Sequence, residues 1–153
     1  MEKHMKPTFW KLSQGTDFFN FSDMLQSIED RLVYAHKSTG KKGTSSKTQG
    51  ESFFDAKIGD YFYLTHGNSG IYLIGQFTGP ANFFPKDMDD GWCDRPFRLI
   101  ARATCSEAYT GPNKWWAPNH PSTFVKVPEP EFELFEQEIL VPYFDLKLSD
   151  YDL

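Results

Sequence analysis

Residues 58–79, IGDYFYLTHGNSGIYLIGQFTG, decide how this chain is read. Tyr61, Phe62, Tyr63 and Leu64 form a β-prone run. Gly67-Asn68-Ser69-Gly70 is a turn cluster, and Ile71 to Phe77 is a second β-prone run. That pattern predicts a β-hairpin. Gly75 stands inside the second run, where a glycine marks a bulge or the close approach of another backbone or a ligand. Two strands this apolar need a partner sheet. The hairpin therefore predicts the spine of a small barrel that holds a pocket.

On the N-terminal side, Thr8 to Leu12 (TFWKL) is a short strand, and Ser13-Gln14-Gly15-Thr16 ends it. A helix follows. Asn20 or Ser22 is its N-cap, Asp23 lies in the first turn, Phe21 is a staple, and Met24, Leu25, Ile28 and Leu32 make an apolar face. Val33 to Ala35 is a short strand. Residues 36–52 then form a loop with four lysines (Lys37, Lys41, Lys42, Lys47) and no acid before Glu51. A loop of that length in a compact domain is usually functional or mobile.

On the C-terminal side, residues 95–104 (RPFRLIARAT) alternate Arg98, Ile100 and Arg102 against Phe97, Leu99 and Ala101, a strand with one polar face. Residues 109–122 are turn-rich and carry Trp115-Trp116 and Asn119. Residues 123–127 are a short strand. Pro128 and Pro130 open a helix on which Phe132, Phe135 and Ile139 recur at helical spacing, and Pro142 is expected to end it. Short strands with flanking helices predict an α+β fold, a small, partly closed mixed β-barrel.

At 153 residues, 24% charged and 17% aromatic, the chain has the composition of one globular domain. The net charge of −5 is unevenly placed. Residues 129–153 hold eight acids against Lys147 alone, which leaves +2 on residues 1–128. Lysines on one loop suit phosphate-backbone contact. Cys93 and Cys105 are too few for a disulfide scaffold, and no apolar run approaches membrane-spanning length, so a cytoplasmic setting is expected. Met5 is a candidate natural start.

Several chemistries are excluded by pattern. A phosphate-binding loop aligned on Gly40-Lys41 would need glycine at Ala35 and a hydroxyl at Lys42. His4, His36, His66 and His120 lie at no metal-ligand spacing, and no nucleophile elbow occurs. No enzyme, metal or cofactor is expected. What remains is a set of aromatic and polar residues at strand ends: Trp10, Ser13, Tyr34, His36, Tyr63, His66 and Trp92. Trp10 and Tyr63, inside strands, read most simply as core. Trp92 lies in a polar segment (DDGWCDR, 89–95) and reads as a lid over the core edge or a stacking wall.

The order of these pieces resembles the PUA-like superfamily, and within it the EVE domains and their YTH relatives. The resemblance spans about residues 8–104. It is carried by FWKLS, by VYAHKST (33–39), by GDYFYLTH (59–66), by Gly-Ile-x-x-Ile-Gly (70–75) and by Trp-x-x-Arg-Pro (92–96). The tail (Trp115-Trp116-x-Pro-Asn119, Ser122-Thr123-Phe124, Pro128-Glu129, Leu140-x-Pro-Tyr-Phe144) resembles the linker of McrB-like restriction proteins.

The resemblance implies a reader domain over residues 5–127, with residues 128–153 leading toward a downstream region. It implies a modified base flipped from duplex DNA into a pocket of Trp10, Ser13, Tyr34, His36, Tyr63, His66 and Trp92. Lys37, Lys41, Lys42 and Lys47 would lie on phosphates, with an AAA+ GTPase and a nuclease subunit as partners. Modified cytosine is favoured and N6-methyladenine stays open. The alternatives are an RNA-binding PUA-like domain, for the same barrel, and a protein-interaction module, for the acidic C-terminal helix.

Overall fold

The computed structural model describes residues 7–13, 21–36, 49–66, 70–83, 92–105, 107, 109–120 and 122–151. The hairpin is present as β3 (Tyr61–Thr65) and β4 (Ile71–Phe77), antiparallel, with Tyr63 opposite Ile74. Its base is closed by Gly59, at φ 100°, which only glycine adopts easily. The Asp60 carboxylate accepts the Lys57 amide and the Trp10 indole N–H, both at 3.0 Å. β1 (Phe9–Ser13) runs parallel to β3 and antiparallel to β7 (Phe124–Lys126).

β6 (Trp92–Arg102) carries the other half of the sheet. Its C-terminal part pairs with β4. Its N-terminal part pairs with β2 (Leu32–His36) on one side and the short β5 (Asn82–Phe83) on the other. The order β2-β6-β4-β3-β1-β7 is a curled half-barrel with β2 and β7 at its edges. The register slips between Ile74 and Gly75, and a Cβ on Gly75 would stand 2.6 Å from the Phe62 ring and 2.7 Å from Phe97. Of the two alternatives read for that glycine the bulge is present, and what comes close is neither backbone nor ligand but the side-chain rings of Phe62 and Phe97. The slip also alters the polar face read for residues 95–104: Ile100 and Ala101 both pack against the apolar cluster behind the sheet.

Helix α2 (Gln49–Asp55), read from sequence as loop, fills the open side and packs against both edge strands. Phe53 enters the concave core, edge-on to Phe77 and Phe124. Both ends of α2 are pinned. The buried Gln49 side chain accepts the Thr123 and Phe124 amides at 2.5 and 2.9 Å. At the other end Arg95, 1% exposed, donates to the carbonyls of Phe53 and Ala56. It also reaches Gly79 through Nε (3.1 Å) and Nη2 (3.0 Å), with its guanidinium 4.3 Å over the Phe77 ring. A helix C-terminus leaves carbonyls without donors and carries partial negative charge, so a buried cation there is doubly matched.

Three boundaries differ from the sequence reading. Helix α1 spans Phe21–Asp30, so Ser22 lies inside it rather than capping it, the other N-cap read, Asn20, lies outside the described residues, and Leu32 belongs to β2. Arg31 takes a left-handed conformation, φ 58°, and sends both its amide and its guanidinium to the Ile28 carbonyl, which stops the helix. Leu25 is accordingly exposed, whereas Ile28 packs on the concave core. At the C-terminus, Pro142 lies inside the last helix rather than ending it. The chain runs from α3 (Phe132–Phe135) into a π-helical segment, Glu136–Phe144, and stops at Asp145 in the left-handed region. The wider π turn moves the preceding carbonyls off the proline ring. Phe132, Phe135 and Ile139 are buried on the convex face of the sheet against Phe9 and Tyr63, as their spacing required.

Arg95→Met strips the donors from three buried carbonyls. We expect a loss of about 3 kcal/mol or more in denaturant unfolding. A loss under about 1 kcal/mol, within the range of ordinary substitutions, would show that the guanidinium does not hold α2.

Candidate nucleic-acid interface

The candidates fall into two sets and two core positions. In the first set, Tyr34 stands opposite Asp94 and His36 opposite Trp92 in the β2–β6 register. Successive strand residues alternate faces, so these four positions share the face opposite the buried Val33 and Arg95. Tyr34 is half-buried, and its phenol is pushed up by desolvation and then by the Asp94 and Asp30 carboxylates. The Asp94 carboxyl is itself pushed up by desolvation, with a hydrogen bond from Asn82 opposing. Of His36 and Trp92 only the backbone is described. Lys37, Lys41, Lys42 and Lys47 lie outside the described residues, between the end of β2 and the pinned start of α2.

In the second set, Ser13 ends β1 opposite Thr65, and His66 follows. The Ser13 amide donates to the Thr123 carbonyl at 2.7 Å, and the His66 amide to Gly70 at 3.3 Å. Trp10 faces the concave core, stacked on Phe124 at 4.3 Å and 12°. Tyr63 faces the convex side, 1% exposed, tilted against Phe135, with its hydroxyl donating to the Trp116 carbonyl. A base would reach Tyr63 only by displacing the C-terminal helix. Burial raises the Tyr63 phenol well above its usual range.

Beside the Ser13 end lies a cluster the sequence did not single out. Lys11 is fully buried. Its Nζ donates to the His120 carbonyl (2.6 Å) and to Ser122 Oγ (2.9 Å), and no carboxylate partners it among the described residues. Ser122 Oγ in turn donates to the Trp115 carbonyl at 2.5 Å. Desolvation alone pulls the Lys11 ammonium down to about 7. The signal was in FWKLS: Lys11 shares strand parity with Phe9, which is buried. Arg95 and Gln49 gave no such signal, because their partners are carbonyls and amides far along the chain.

No protein-family model matches the chain, and no curated protein sequence does. Among solved structures, the protein Atu2648 from Agrobacterium tumefaciens is similar with a TM-score of 0.54 at 12% identity, over 86% of this chain and 93% of that one. The YTH domain of Mmi1, solved in complex with RNA, is similar with a TM-score of 0.53 at 8% identity, over 89% of this chain and 80% of that one. The chain has the PUA-like/YTH-like fold, a mixed α+β half-barrel with a C-terminal helix. Among the described residues no helix is long and apolar enough to cross a membrane.

An amine that is charged in the unfolded chain up to about pH 10.5 and neutral in the folded one above about pH 7 makes folding more favourable as pH rises between those values. We expect the unfolding midpoint to climb from pH 7 to pH 9. Lys11→Met should remove that climb, a slope of at most about 1.4 kcal/mol per pH unit. Equal slopes in both proteins would place the charge elsewhere.

Proposed function

We propose that this chain is a reader domain that binds a modified base, flipped out of duplex DNA, and does no chemistry of its own. The observation that carries this reading is the β2–β6 ribbon on a PUA-like/YTH-like fold, with Tyr34 and Asp94 facing each other and the positions of His36 and Trp92 beside them. Extruding a base costs a few kcal/mol of pairing and stacking, which aromatic faces and edge hydrogen bonds must offset. Stacking on one aromatic returns roughly 1–3 kcal/mol. The lysines of residues 37–48 begin where β2 ends, so phosphate contacts beside such a pocket follow naturally. The McrB-like tail supports a targeting role, in which GTPase and nuclease activity belong to partners. Modified cytosine is the favoured ligand, and N6-methyladenine is the next. A second reading, RNA, is favoured by one observation: the similar Mmi1 domain was solved with RNA.

The test is a set of duplexes with cytosine, 5-methylcytosine, 5-hydroxymethylcytosine or N6-methyladenine at one site, with the matching RNAs. We expect a preference for one modified DNA, reduced about 5- to 100-fold by Trp92→Ala. Equal, salt-sensitive binding to every probe would reduce the interaction to phosphate contact and sink the reader proposal. Tighter binding to RNA than to any DNA would establish the second reading.

A further inference from the structure

Trp115 is an aromatic side chain left half out of the protein, 49% exposed, on a backbone that is anything but loose. Its own carbonyl accepts Ser122 Oγ. Its ring meets the His120 imidazole edge-on, centroids 4.5 Å apart at 60°. The His120 carbonyl is held by the buried Lys11 ammonium, and Ser122 by the same group. The turn is further tied by the Ala117 amide on the Lys114 carbonyl (2.9 Å) and the His120 amide on the Ala117 carbonyl (3.1 Å). The neighbouring Trp116 is the reverse case: 1% exposed, edge-on to Phe135, its indole N–H on Glu131 at 2.8 Å. Trp116 anchors the turn in the core. Trp115 contributes nothing comparable there, and its indole N–H has no acceptor among the described residues. Lys114 and Glu131 form an ion pair at 3.8 Å, so neither presents an isolated charge beside the indole.

We propose that Trp115, braced by His120, is a base-stacking station that receives an unpaired nucleobase outside the reading pocket. The inference rests on the nucleic-acid reading above, but not on which base is modified. Three observations favour a base as the occupant. An indole face with a neighbour inclined at 60° offers one flat surface and one stop, the shape of a platform for a planar ring. Stacking of this kind tolerates sequence and needs no charge. The platform also lies on the chain that holds the end of β1: Thr123, next to Ser122, accepts the Ser13 amide. A paired base in a duplex presents only its edge, so the station selects bases that are already unstacked.

The test uses the full 153-residue chain with single-stranded DNA and RNA of roughly twelve nucleotides, together with the modified duplex that binds best. Wild type, Trp115→Ala and Trp115→Phe are compared by fluorescence anisotropy. Each nucleotide is replaced in turn by an abasic residue. The expected result is a loss of about 5- to 100-fold on the intact strand for Trp115→Ala. Trp115→Phe should stay within a few-fold of wild type, and the alanine penalty should vanish at one abasic position. Matching thermal melts show that the exposed site leaves the fold intact. Affinity unchanged by Trp115→Ala overturns the proposal. So does a penalty that is the same at every abasic position, which would mark a packing role. Wild type that binds the modified duplex while the Trp115 variants are silent on all probes defeats this inference alone. Wild type that binds no probe defeats the reader proposal and this one with it.

Discussion

The half-barrel has two open edges, β2 and β7, and α2 must span them. Everything else in the concave core depends on that closure. The short helix cannot hold itself in place, because seven residues supply few internal hydrogen bonds and a costly nucleus. It is held from outside, by Gln49 on the first amides of β7 and by Arg95 on its last carbonyls. Arg95 sits near where β6 changes partners, from β2 to β4. One buried guanidinium thus ties the helix, the turn after β4 and the divided strand together. Carbonyl dipoles and an aromatic face surround that cation, a planar fork geometry that a lysine-like point charge does not reproduce.

The same closure bears on the edge strands themselves. β2 is at once an edge strand and the bearer of Tyr34 and His36. An unpaired edge invites wrong pairing, and here α2 packs against β2 while β6 pairs with it. On the convex side Tyr63, Phe9 and Ile74 are sealed by the C-terminal helix, and the tyrosines along that face have phenols raised by burial and neighbouring acids, Tyr109 up to about 12. The two faces of one sheet therefore differ, the convex one closed by the C-terminal helix and the β2–β6 ribbon bearing the half-buried Tyr34 and Asp94.

The acidic C-terminal segment shows why charge counts alone mislead. Its carboxylates look like a free solvated face in one dimension. In the structure Glu131 accepts the Trp116 indole and pairs with Lys114, and Glu136 accepts the Leu148 amide at 2.5 Å. These acids fasten the helix and its preceding turn to the domain, and their charge is partly committed to that task.

Local pattern alone was enough for the hairpin, the first strand, the role of Gly75 and the buried stripe Phe132-Phe135-Ile139, because side-chain periodicity and turn chemistry act over a few residues. It also narrowed the candidate site to aromatic and polar residues at strand ends. It could not sort them. Whether Tyr63 faces a pocket or the C-terminal helix depends on which side of β3 the last thirty residues cover. That Tyr34 meets Asp94, and that Lys11 meets Ser122, depends on a register and a packing that join positions 60 and 111 residues apart. The helical identity of residues 49–55 was hidden for the same reason: its stabilising partners, Arg95 and the amides of β7, are supplied by distant segments. Sequence determined the elements whose energy is local. Tertiary structure decided those whose hydrogen bonds and burial come from elsewhere in the chain, and the pairing of Tyr34 with Asp94 is among them.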